Sequence, residues 1–172
     1  PPIAIKCTFI INNYWFLNYR LKTFYTFGLA KLFNMNLYKI DTGYFKLDGG
    51  AMFGVVPKVL WSKTNPPDDH NRCPWAMRSL LIEDGNRLIL IDNGIGDKQD
   101  DKFLRHYYLH GDVSLNNSLK KHGFTPDDVT DVFLTHLHFD HCGGSVIWNK
   151  DRSGFEMAFK NAGIDISWKG KG

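Results

Sequence analysis

Cysteine is scarce in this chain of 172 residues: Cys7, Cys73 and Cys142 are odd in number, widely spaced and include no Cys-x-x-Cys. That excludes a disulfide framework and makes a reducing compartment, the cytoplasm, the expected location. Long apolar runs are missing as well. Asn12, Asn13, Asn18, Arg20 and Lys22 interrupt the aromatic-rich stretch from Phe9 to Phe27, so nothing approaches the roughly 20 residues of a spanning helix. No small-residue cleavage site follows a clean apolar core, and no membrane partner is expected. Acidic residues are absent from positions 1–40, which hold Lys6, Arg20, Lys22, Lys31 and Lys39. Setting those five aside leaves 16 of the 21 basic residues against 18 acidic ones, a balance of −2 beneath the formal +3. The basic excess therefore belongs to the leader and gives no support for a nucleic-acid partner.

The chain opens Pro1-Pro2, and its first methionine is Met35, directly before the strand-like Asn36-Leu37-Tyr38-Lys39-Ile40. We expect residues 1–34 to be a leader or non-native extension and the domain to occupy 35–172. Within it, apolar and aromatic residues predict strands over 37–47 and 51–60. Pro66-Pro67-Asp68-Asp69 and Asn71-Arg72-Cys73-Pro74 make 61–74 a loop. Residues 76–83 and 87–92 read as a hairpin about Asp84-Gly85-Asn86, both strands largely apolar and expected to be buried. Helices are predicted over 98–109, where Phe103, Leu104, Tyr107 and Tyr108 share a flank, and over 114–122, with Ser114 as cap and Gly123 as stop. Thr125-Pro126-Asp127-Asp128 reads as a capped helical turn, 131–135 as a strand, and 155–159 and 164–168 as weaker strands. Strands, then helices, then a strand give an α/β layered domain.

The densest chemistry lies in His136-Leu137-His138-Phe139-Asp140-His141, which follows Val132-Phe133-Leu134 and precedes Cys142-Gly143-Gly144. At this composition such a run arises by chance on the order of once in a thousand chains. Imidazole nitrogen and carboxylate oxygen are the borderline ligands of Zn²⁺ and its first-row neighbours, so the run reads as a metal site. In an extended segment, His136, His138 and Asp140 would point to one side and His141 would leave from the following turn. His106 and His110, spaced i and i+4, read as exposed helix residues, and Cys142 as a small side chain beneath the site.

These residues resemble the metallo-β-lactamase superfamily, whose His-x-His-x-Asp-His signature follows a buried strand and a threonine, as Leu134-Thr135-His136 does here. Upstream, Arg78–Glu83 and Leu88–Gly94 resemble the paired strands of that family, the second ending in Asp and Gly. Leu47-Asp48-Gly49-Gly50-Ala51-Met52-Phe53-Gly54 resembles the domain entry of its N-acyl-homoserine lactonase branch. The likeness covers about residues 36 to 168.

The resemblance implies an αββα sandwich of which only the N-terminal half is present, since 172 residues fall short of two sheets with flanking helices. It implies two Zn²⁺ ions per intact site, with Fe, Mn or Co as substitutes. His136 and His138 would hold the first metal and Asp140 and His141 the second, Asp140 also being the catalytic residue that orients metal-bound hydroxide and passes a proton. The family's later ligands are missing, for no histidine follows His141 and the only downstream carboxylates are Asp151, Glu156 and Asp165. Two readings of Asp92 stand: a carboxylate that orients the metal loop by hydrogen bonds, and a plain strand-ending turn residue. The implied activity is metal-dependent hydrolysis of a small-molecule lactone or ester, weak or absent in so short a chain. The alternatives are a thioester hydrolase or nuclease of the same superfamily, or a non-catalytic metal-binding or interaction module. An exposed sheet edge would favour self-association.

Overall fold

The computed structural model describes residues 35–166. The leader and the last residues of the predicted 164–168 strand lie outside them. β1 (Asn36–Asp48), β2 (Arg72–Asp84), β3 (Arg87–Ile91), β4 (Asp131–Leu134) and β7 (Gly163–Ile166) form one sheet in the order β1-β2-β3-β4-β7. β1, β2 and β3 pair antiparallel, whereas β3, β4 and β7 run parallel. β5 (Val146–Trp148) and β6 (Phe155–Met157) make a separate antiparallel pair.

The β2–β3 hairpin turns at Gly85-Asn86 as predicted, Gly85 taking a φ of 59° where a two-residue turn needs a positive value. Pro74 is tolerated within β2 because there the strand has only β1 as a strand neighbour, its pairing with β3 beginning at Leu80. Along β1 the register slips between Asp41 and Gly43, leaving Thr42 as an extra residue. This bulge changes parity, so that Ile40 above it and Phe45 below it reach the same face of the sheet.

On that face lie the helices of the β3–β4 crossover, α3 (Asp101–Tyr107) and α4 (Leu115–Lys121). Leu119 of α4 closes a core with Ile40, Leu81, Leu90, Val132, Leu134 and Phe159. Phe103, Leu104 and Tyr107 of α3 pack with Phe45, Met77, Ile95 and Phe139. α4 has the predicted cap, Ser114 Oγ accepting from the Asn117 N–H at 3.2 Å. α3 starts later than predicted because Asp100 caps it, its carboxylate accepting from the Phe103 N–H. Thr125 donates its N–H and hydroxyl to Asp128, fixing the predicted turn at Pro126–Asp128.

Two expectations are corrected. Residues 51–60 are not a strand but two short helices, α1 (Gly49–Phe53) and α2 (Lys58–Trp61). Asp48 caps the Ala51 N–H, Gly54 turns the chain, and Phe53 stacks on Trp61 at 4.7 Å, so local capping and aromatic packing override an apolar stretch. The hairpin strands are not buried on both sides either. Leu81, Leu88 and Leu90 are buried, but Leu80, Ile82, Ile89 and Ile91 on the opposite face are only half-buried. The described residues thus form a five-stranded sheet with helices on one face, half of an αββα arrangement, and a separate two-stranded pair.

Candidate metal centre

Parallel pairing of β3 and β4 places their C-terminal ends side by side, the position where α/β sheets build their sites. Asp92 follows β3 directly. Its N–H donates to the Phe133 carbonyl at 2.9 Å, which locks the turn against β4. Asp92 adopts a φ of 59°, a left-handed conformation that Asp and Asn tolerate better than most residues. The turn points its buried carboxylate at the metal loop. There it accepts from the Thr135 N–H (2.9 Å), the Thr135 hydroxyl (2.8 Å) and His141 Nδ1 (2.8 Å). Asp92 thus both ends the strand in a turn and hydrogen-bonds the loop.

Those contacts fix proton positions around the loop. A carboxylate only accepts, so His141 carries its proton on Nδ1 and leaves the Nε2 lone pair free. The single Thr135 hydroxyl proton is likewise spent on Asp92, so the Thr135 oxygen accepts from His136 Nδ1, 3.0 Å away. His136 Nε2 is therefore also unprotonated, and it accepts from His138 Nδ1 at 3.0 Å. Burial, reinforced by the neighbouring His141 and His138, holds the His136 imidazole below its ordinary pKa and favours this neutral form.

The motif is extended only through His138. Phe139–Cys142 forms a helical turn, α5, so Asp140 does not share an extended face with His136 and His138 as expected, but projects from the same turn as His141. The loop is clamped from behind: the Asn93 N–H donates to the His141 carbonyl, the Gly144 N–H to the Gly94 carbonyl, and Lys98 Nζ to the Gly143 carbonyl. Only glycine fits at 143 and 144, where a Cβ would lie 2.1 Å from the Ile95 carbonyl oxygen and 2.4 Å from that of Asn93.

The donors fall into two adjoining pairs. His136 Nε2 and His138 Nδ1 are 3.0 Å apart, and Asp140 Oδ2 and His141 Nε2 are 3.5 Å apart. Two nitrogens on a tetrahedral zinc, each at about 2.0–2.1 Å, would be separated by about 3.3 Å, so either pair fits one ion with little movement. The His136 and His141 ring centroids are 4.0 Å apart, which brings the pairs together. Among the described residues, no group of three or more His, Cys, Asp or Glu side chains converges as a metal-holding set. Each pair supplies two donors where a protein site takes three or four.

Other candidates fall elsewhere. His106 is exposed on α3, and His110 lies beyond that helix, its Nδ1 against the Tyr108 carbonyl. Cys142 is half-buried against the core. Sequence reasoning did not single out Thr135 as a relay between Asp92 and His136, nor Asn93 as a loop anchor. The strand-ending Asp-Asn-Gly and the Leu-Thr-His junction were the available signals.

Known proteins are similar to this chain in sequence and fold. The metallo-beta-lactamase superfamily model matches residues 77–150. A probable metal-dependent hydrolase from Staphylococcus aureus is 34% identical with a TM-score of 0.68, the match covering 76% of this chain and 46% of that one. AidC, a dizinc quorum-quenching lactonase, is 31% identical with a TM-score of 0.55, covering 76% of this chain and 40% of that one. The hydrolase AbOPH, in the beta lactamase superfamily, is 25% identical with a TM-score of 0.54, again covering 76% and 40%. Residues 77–150 thus match the metallo-beta-lactamase superfamily, and the described residues have the fold of these neighbours. The chain spans less than half the length of these three structures.

Proposed function

We propose that residues 35–172 are the N-terminal part of a metal-dependent hydrolase domain acting on a lactone or other small ester. The observation that carries this reading is the pairing of donors: His136 with His138, and Asp140 with His141, each at a spacing that one ion fits. Zinc is the metal we favour, two ions per complete site, and the likeness to a dizinc lactonase supports both the metal and the substrate class. When bound, such ions polarise a carbonyl oxygen and lower the pKa of water from near 16 toward about 7.

The chain's own residues prepare this. Asp92 and Thr135 keep Nε2 of His136 and His141 unprotonated. Asp140, half-buried at the same turn, is placed to accept a proton from a nucleophilic water and pass it on. Phe139 packs edge-on against Phe103 at 5.5 Å and in a tilted contact with Tyr107 at 4.5 Å, which ties the turn to α3. Free Cys73 and Cys142 fit a reducing compartment such as the cytoplasm.

The test is zinc titration of the purified metal-free chain, compared with the His138→Ala, Asp140→Ala double variant. Weak zinc binding that the double variant loses is expected, since two donors per ion are fewer than a stable site takes, and the complete domain should hydrolyse lactones. Zinc held equally by both proteins would refute the assignment of these ligands. Stable zinc without turnover in the complete domain would instead favour a non-catalytic metal-binding module.

A further inference from the structure

The metal loop offers its four donors as two pairs, and the rest of this chain adds little to them. Among the described residues, no third His, Cys, Asp or Glu joins either pair. Positions 1–34 and 167–172 hold no His, Asp or Glu and one cysteine, Cys7. The carboxylate behind the loop, Asp92, is already engaged by Thr135 and His141. Zinc takes four donors, so each pair leaves two coordination positions to be filled from another molecule. His138 is exposed and His136, Asp140 and His141 are half-buried, so all four can be reached from solvent. Apolar side chains lie beside them in sequence: Leu137, between the two histidines, is 60% exposed, and Phe133, on the strand leading into the loop, is exposed as well. Exposed apolar residues next to polar ligands have the character of an interface.

A second copy of the chain brings what each pair lacks. His136 with His138 is a neutral pair, whereas Asp140 with His141 carries one negative charge. Joining unlike pairs gives every ion three imidazoles and one carboxylate. Joining like pairs gives one ion four neutral imidazoles and the other ion two carboxylates, which leaves the full divalent charge uncompensated at the first, a costly arrangement where an interface excludes water. The unlike arrangement is also reciprocal, the form that a two-fold dimer produces.

We propose that zinc joins two copies of this chain through their metal loops, His136 and His138 of one copy and Asp140 and His141 of the other holding one ion, and the reciprocal set holding a second. This rests on the reading of those four side chains as zinc ligands.

The experiment is analytical ultracentrifugation with zinc titration of the metal-free full chain, alongside two variants, His136→Ala with His138→Ala and Asp140→Ala with His141→Ala. Zinc should take the parent from 19.8 kDa to twice that mass with one ion per chain, and its apparent affinity should rise with chain concentration, as mass action requires of a shared site. Neither variant should dimerise with zinc by itself. Their equimolar mixture should, holding one ion per two chains, because it restores one complete set of four donors. Zinc retention is read together with mass, so the mixture decides even where apolar contact alone already pairs the chains. Should a variant fail to fold, His136→Gln or His141→Gln in place of alanine keeps an N–H for Thr135 or Asp92. Zinc bound by a monomeric parent and lost in the variants would overturn the shared site while leaving the ligand assignment intact. Zinc bound equally by parent and variants, or by none of them, would remove both. A variant that dimerises with zinc by itself, through like pairs or through exposed His106, also overturns the proposal, as does a mixture that behaves as its separate components.

Discussion

Asp92→Asn alters one atom and should move the proton on at least one histidine. Asn keeps the shape and tolerates the observed φ of 59°, so the backbone is not perturbed. If the new carbonyl oxygen remains on the Thr135 N–H, the NH₂ group faces Thr135 Oγ and His141 Nδ1, and it can only donate. His141 must then accept at Nδ1 and carry its proton on Nε2, the nitrogen that faces Asp140. Thr135, now receiving from the Asn NH₂, keeps its hydroxyl proton on the new carbonyl oxygen, 3.0 Å away, or turns it toward His136 Nδ1, in which case the His136 proton moves to Nε2 as well. The opposite amide orientation leaves the part-buried Thr135 N–H without its partner, at about 1 kcal/mol. Either way the stability lost should be about 1–3 kcal/mol, since hydrogen bonds to a charged acceptor contribute about that much. Metal affinity should fall about 10-fold to 100-fold, the usual consequence of removing a partner that orients a ligand. Long-range ¹H–¹⁵N spectra of the metal-free proteins report the protonated nitrogen of each imidazole, and zinc competition against a chelator reports affinity. Unprotonated Nε2 atoms on both histidines in the variant, with zinc affinity within about twofold of the parent, would refute the relay.

Two further outcomes concern stability. Gly144→Ala should lower the unfolding free energy by at least about 2 kcal/mol, because its Cβ meets the Asn93 carbonyl at 2.4 Å, a backbone atom that cannot give way. Gly85→Ala meets nothing within 4 Å and should cost only the about 1–2 kcal/mol of its positive φ. Equal losses in urea melts would show that the loop is not clamped as described. The Arg87 guanidinium, 2.6 Å from Asp131, holds the Asp131 carboxyl below its ordinary pKa, helped by the Thr130 hydroxyl. A carboxylate depressed in the folded state adds stability above its unfolded pKa near 4 and loses it as pH falls through the folded value. Asp131→Asn should therefore be less stable than the parent by up to about 1 kcal/mol at pH 7, a small effect because the Arg87 side chain is 57% exposed. The gap should narrow as pH falls below the unfolded value near 4, and a gap that stays constant from pH 7 into more acid solution in denaturation curves would contradict the assignment.

Much of this was legible because the signals are local. The metal-ligand types in His136–His141, the Gly85 turn, the Ser114 cap and the Thr125–Asp128 turn each depend on residues within a few positions of one another. The apolar pattern failed at 51–60, where Asp48 capping and the Phe53–Trp61 stack decide for helix, since alternation cannot register a contact across a loop. It failed again inside the motif, where a helical turn after His138 sends Asp140 to the side of His141. What the sequence by itself determined was which donor atoms are available and that they would sit together, because they are six consecutive residues. Only the tertiary structure decided how they are paired and which nitrogen of each ring is unprotonated. Those depend on Asp92, 43 residues before Thr135 and 49 before His141, brought into reach by the parallel pairing of β3 with β4.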